Sequence, residues 1–233
     1  MNQVPLHSGE TDQSARGLKP ARSRAKPATR RQEIGFERRE RTRQRLLEGA
    51  ARVLAECGEH RATIDDFIQA AGVARGTFYN YYQTGEEILA DVWSEIGRNP
   101  FLEIELACKG IEDPAERLIA KTRLVLERTS RNATWGWVVY ALSADASTIN
   151  ADLLRFPRPD LEDGRRSGRW VIEDVSAATD LIVGTVRSAM HAILREQHSA
   201  TYSYEICVHL MRALGLTIAD ARRVMAKPLP SSD

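Results

Sequence analysis

Within FERRERTRQRLLEGAARVLAECG, residues 36–58, Leu46, Leu47, Ala50, Val53, Leu54 and Cys57 recur at the i, i+3, i+4, i+7 spacing of a helix with one apolar face. The pattern predicts order from about Glu37 and a stop at Gly58. A second, shorter pattern places Ile64, Phe67 and Ile68 on the buried side of a helix over Ile64–Ala71. Thr63 and Asp66 mark its start, the hydroxyl accepting from a free helical N–H while the acid reaches back. Gly72 can take the left-handed conformation that ends it, and Val73 supplies an apolar residue to pin the turn. A further short helix is predicted from about Ala74 to Tyr82. Helix, glycine turn, helix is the arrangement in which the second helix enters the DNA major groove.

Beyond residue 84 the helical period continues with no strand alternation and no internal repeat. One helix is predicted from about Glu86 to Arg98, burying Ile88, Leu89, Val92 and Ile96, with Pro100 marking its end. Asp113-Pro114, a cap followed by proline at the first helical position, opens a long helix to about Thr129. ATWGWVVYALSAD reads as a helix buried on most sides. The next, around Asn150–Asp163, is interrupted by Pro157 and Pro159, and DGRRSGRWVIED reads as a turn into a new helix. Two apolar helices close the chain, SAATDLIVGTVRSAMHAILREQ and TYSYEICVHLMRALGL. The fold class is therefore all-α.

Composition narrows the class without changing it. The 233 residues are 42% hydrophobic with a net charge of +1, as in an ordinary globular protein. Cys57, Cys108 and Cys207 lie far apart without metal-ligand spacing, so neither a disulfide framework nor a zinc site is indicated. His191 and His198, seven apart, are too widely spaced for a usual metal pair, and no metal is expected. Walker, dinucleotide, HExxH and nucleophile-elbow motifs are lacking, which predicts a non-enzyme with no cofactor. With no apolar signal run and no stretch approaching the roughly 20 residues of a membrane span, a soluble cytoplasmic protein is expected. Charge is uneven, however: Ser14–Arg31 carries seven cations and no acid, which predicts a disordered basic arm, either a solvated tail or a contact to nucleic acid.

The stretch TIDDFIQAAGVARGTFYNYYQTGEEIL, residues 63–89, resembles the helix-turn-helix signature of the tetracycline-repressor (TetR) family of transcriptional regulators. Thr63, Ala70–Val73, Gly76-Thr77, Tyr79, Tyr82 and Glu86 carry the likeness, which covers only the head. The resemblance implies a three-helix DNA-binding unit, placed at residues 37–84, before a helical ligand-binding and dimerisation domain at 85–227. Residues 1–36 and 228–233 are expected to be disordered. The implied function is a ligand-responsive repressor of a palindromic operator, the alternative being a helical binding module with weakened or lost DNA contact.

Side-chain chemistry assigns roles inside the motif. Gly76 permits close approach to the duplex, and Thr77 offers a hydroxyl and a methyl to base edges. Arg75 suits guanine or phosphate, Asn80 phosphate or adenine, and the hydroxyls of Tyr79 and Tyr81 suit phosphate oxygens. Phe78 and Tyr82, four apart, are expected to pack inward. Two departures from the family pattern stand out: Ala74 replaces a capping serine, and Gly85 a phosphate-binding lysine. Arg61–Tyr82 has no net charge, so the grip must come from Arg41, Arg45 and their arginine-rich surroundings, or from the basic arm.

Association and ligand binding follow from the later helices. By resemblance, the last two long helices form a four-helix bundle across a two-fold axis, which nominates Leu181, Ile182, Gly184, Met190, Ile193, Cys207, Leu210 and Met211 as the dimer interface; completion of the monomer core is the other reading of these apolar stripes. Trp93, Phe101, Trp137 and Tyr140 are candidate walls for an apolar or aromatic effector, with ordinary core as the other reading.

Overall fold

The computed structural model describes residues 27–57, 62–143, 153–196 and 198–230, and every regular element among them is helical. The chain divides into two units, Met1–Glu40 and Arg41–Asp233. The described part of the first is the leading stretch of α1 (Pro27–Cys57), exposed over residues 32–40. This helix begins at Pro27, not at Glu37, because proline suits a first helical turn and the residues after it are mostly good helix formers. The last part of the expected disordered arm is thus helical, while residues 1–26 lie outside the described residues.

In the second unit the rest of α1 packs Leu46, Leu47, Ala50 and Leu54 against α2 (Ile64–Ala71) and α3 (Arg75–Tyr79). The α3 helix is shorter than the predicted Ala74–Tyr82, because beyond Tyr79 the backbone tightens, with Tyr81 N–H bonding to Phe78 O at 2.9 Å. Helix α4 (Gly85–Val92) follows, capped by the Thr84 hydroxyl, which accepts from Glu87 N–H. The helix predicted to run straight to Arg98 instead widens into a π turn over Trp93–Gly97, with Arg98 N–H reaching Trp93 O at 2.7 Å. The Trp93 indole lies over Gly97, where a Cβ would meet the ring at 2.4 Å. Pro100 then opens a helix as well as following one: it sits in the first turn of α5 (Asn99–Cys108).

The long α6 (Pro114–Arg131) starts at the Asp113 cap as expected. Around it lie α7 (Ala133–Leu142), α8 (Arg158–Arg166), α9 (Val175–Leu194), α10 (Tyr202–Ala213) and α11 (Ile218–Met225). The α8 helix begins at the proline break, and the predicted Asn150 start lies outside the described residues. The α11 helix was not separated by apolar period, although Thr217 and Asp220 form a capping pair at its start. Buried charge ties α8 to α6: Asp160, 1% exposed, accepts from Lys121 Nζ at 2.8 Å and from Arg117 Nε. Residues 228–230, expected in a free tail, are described, and Leu229 packs on the core. A single hydrophobic core runs from Leu46 through Ile88, Val92 and Phe101 to Met225, with no gap at the predicted 84/85 boundary.

Candidate nucleic-acid interface and ligand cavity

Local caps position the reading head. Thr63 Oγ1 accepts from Asp66 N–H at 3.3 Å while Asp66 Oδ2 accepts from Thr63 N–H at 2.8 Å, and these bonds hold the Asp66 carboxyl below its ordinary value. At the other end of α2, Gly72 is left-handed with φ 60°. Arg45, exposed and expected to help grip DNA, also braces this turn: its Nη2 donates to Ala71 O and to Gly72 O, both at 2.9 Å. Orphan carbonyls of a helix end attract such a cation. Arg41 is exposed one turn earlier.

The aromatic cluster on α3 divides as its spacing suggests, with one refinement. Phe78 and Tyr82 are buried, whereas Tyr79 and Tyr81 are half-buried rather than fully outward, packing on the core, with Tyr79 hydrogen-bonded to Arg75. Arg75, Gly76 and Asn80 are exposed and Thr77 is half-buried, so one side of α3 can meet a groove. Ala74 makes no side-chain cap, and Gly85 begins α4 without a cation. Arg75 pairs with Asp65 at 3.2 Å, both largely exposed.

Behind the reading helix stands an ionic junction with no counterpart in the sequence reading. Tyr82 Oη donates to Asp91 Oδ2 at 2.5 Å, and Arg43 Nε donates to the same oxygen at 2.9 Å. Arg43 Nη2 grips the second oxygen of Asp91 and reaches Glu95 Oε1 at 3.1 Å. Burial first, then the bond to Asp91, pushes the Tyr82 phenol above its ordinary value, which keeps it a donor. Three elements are thereby joined: α1, the end of the reading segment, and α4 with its π turn. The route continues inward, since Trp93 packs on Phe101 at 5.9 Å and Gly97 O accepts from Trp135 Nε1 at 3.1 Å.

Phe101 lines a cavity of about 60 Å³ between α5, α6, α7 and α9. Its other walls are mainly apolar, from Leu118, Val125, Val139, Phe156, Ile182 and Met190, with Thr122, Ser143 and Arg187 as its polar side chains. Trp93 stands behind Phe101, outside the lining. Trp137 and Tyr140 do not line it either, because α7 turns them to another side, where they meet His191 at 6.1 and 4.8 Å. The α7 face toward the cavity is that of Val139 and Ser143, and Phe156 reaches in from the segment before α8.

Burial also revises the association residues. Ile182, Met190, Ile193, Cys207, Leu210 and Met211 are packed inside the single chain, so they fill its core and leave no surface for a partner. Leu181 is 42% exposed and Gly184 is exposed, with open space where its Cβ would stand. Burial raises the Cys108 thiol to about 11 and the Cys207 thiol to about 12, which leaves both protonated and unreactive. No described helix is long and apolar enough to cross a membrane.

Two family models match the chain: "Bacterial regulatory proteins, tetR family" over residues 46–92, and "Tetracyclin repressor-like, C-terminal domain" over residues 113–227. The chain is similar to the HTH-type transcriptional regulator YdgC of Bacillus subtilis strain 168, 24% identical over 158 residues, or 66% of this chain and 81% of that protein. The fatty acid metabolism regulator protein of the same organism is 33% identical over 81 residues, 35% of this chain and 39% of that one. Among solved structures, RolR in complex with resorcinol superposes with a TM-score of 0.62 at 27% identity, covering 85% of this chain and all of that one (100%).

Proposed function

The chain belongs to the TetR family of transcriptional regulators, and from that premise we propose that it binds a palindromic operator as a homodimer and leaves it when a small molecule occupies the cavity. The observation that carries the switch is the continuous path from Tyr82, at the end of the reading segment, through Asp91 and Trp93 to Phe101 in the cavity wall. A ligand that favours one setting of Phe101 and the π turn biases the reading helix through packed groups and hydrogen bonds. Arg75, Gly76, Thr77 and Asn80 face the bases, with Tyr79, Tyr81 and Arg41 toward phosphate, while Thr63 and Arg45 hold the motif in shape. A single head makes few contacts, whereas two heads about 34 Å apart read both half-sites.

The exposed stripe Ala177, Leu181, Gly184 and Ser188 on α9 is the face we assign to the dimer. Its small residues permit close helix approach, and Gly184→Leu is expected to shift the sedimentation of the protein from dimer to monomer. The mainly apolar lining of the cavity favours a small apolar or aromatic effector. Selection of genomic fragments by the full-length protein, followed by retardation at several salt concentrations, tests the reading. A symmetric footprint with steep salt dependence supports it. Failure to retard any fragment, including the one flanking its own gene, would favour a helical ligand-binding module without DNA contact.

A further inference from the structure

Arg187 of α9 is out of place in the wall of an otherwise apolar cavity. Its guanidinium is held on two sides: Nε donates to Ser143 Oγ at 3.0 Å, and the plane lies on the Tyr140 ring, 4.2 Å from the centroid. Among the described residues no carboxylate pairs with it. A half-buried cation facing apolar side chains is costly unless something shares its charge. The other polar lining groups are already engaged, since Ser143 Oγ donates to Tyr140 O at 2.8 Å and Thr122 Oγ1 donates to Leu118 O at 2.9 Å. Arg187 is thus the cation of the described lining, and its two outer nitrogens have no acceptor among the described residues.

We propose that the effector is a small apolar monocarboxylate, its body among Phe101, Val125, Phe156 and Met190 and its carboxylate received by the Arg187 fork; this rests on the reading of the cavity as the effector site. A carboxylate accepts both outer N–H groups in parallel, the geometry in which arginine binds anions best. A dianion such as a phosphate monoester is disfavoured, because Arg187 is the single cation among the described lining residues and the second charge would stay uncompensated. A neutral phenol or alcohol can also accept from Arg187, but without a charge it leaves the guanidinium uncompensated. Tyr140 thus has a role different from that of a lining ring: it is a positioning residue that holds the guanidinium plane.

The test uses the full-length protein with benzoate and hexanoate as probes, against benzamide and hexanamide, which have nearly the same shape without the charge. Calorimetric titration is expected to show the acids binding about tenfold to a hundredfold more tightly than the amides. Arg187→Gln should abolish that preference by lowering acid affinity far more than amide affinity, and Arg187→Lys should retain part of it. Circular dichroism establishes that each variant is folded. Should Arg187→Gln not fold, Ser143→Ala keeps the guanidinium but removes its support, and a several-fold loss confined to the acids is expected. Equal affinity of acids and amides, or no binding of either acid, overturns the proposal. Operator release is scored separately: acids that bind selectively without releasing DNA leave the ligand class standing and refute the induction reading. Neutral resorcinol that releases DNA where the acids do not bind refutes the ligand class alone.

Discussion

Arg75 is the cation of the reading helix, and Asp65 faces it across an exposed pair at 3.2 Å. So exposed a pair is screened by solvent and weak, and a phosphate can displace the carboxylate. Asp65→Asn is expected to tighten operator binding by up to about fivefold and to raise the salt slope by roughly one phosphate. An anisotropy titration with an unchanged slope would place Arg75 off the backbone. Asp113 gives a pH-dependent counterpart. Burial raises its carboxyl, but the bonds from Arg169 and from Ala115 N–H outweigh it and leave it below the ordinary 3.8. A lowered folded value means that its contribution is complete above pH 3.8 and is lost as pH falls through the folded value. Urea unfolding followed over acidic pH should therefore show a shallower loss of stability for Asp113→Asn than for the parent. These residues were legible as caps because a cap is local: Thr63 with Asp66, Gly72 and Asp113 act within three residues of themselves. The task of Arg45 was not, since its partners Ala71 and Gly72 lie more than twenty positions away.

At the next scale, α4 and its π turn form the element that both sites touch. Gly97→Ala would press a methyl to 2.4 Å from the Trp93 ring, so the turn must reseat or the indole must swing out. A loss of about 1–3 kcal/mol in urea stability is expected, accompanied by a change in tryptophan emission. Tyr82→Phe is milder: it removes one hydrogen bond to Asp91, leaves Arg43 in place, and is expected to cost about 1 kcal/mol. Its sharper effect should be on the ratio of operator affinities with and without effector, which falls if the junction transmits the signal. Sequence pattern identified most of the helices because their apolar period is regular, but it misread what Pro100 does, since proline both follows helices and opens them. It also misplaced the cavity. WGWVVYAL is apolar on every side, so nothing in its period tells which face of α7 meets the cavity; the structure selects Val139 and Ser143 over Trp137 and Tyr140. The closing helices raised the same ambiguity, and there the large apolar residues are core while small ones are left outside.

At the scale of the whole molecule, the head and the helical domain share packing. A boundary at 84/85 reads as the joint between two domains, yet Ile88, Val92 and Trp93 belong to one core with Leu46 and with Met225. A fragment ending at residue 92 would expose the inner face of α4, Ile88 and Val92, to water, and is expected to show little helical circular dichroism. The shared core also means that the second unit should melt in one cooperative transition. Anything bound in the cavity then protects the distant reading head against heat, by about 2.7 kcal/mol when present at a hundred times its dissociation constant. Effectors can accordingly be found by the melting point of the DNA-free protein, before any operator is known.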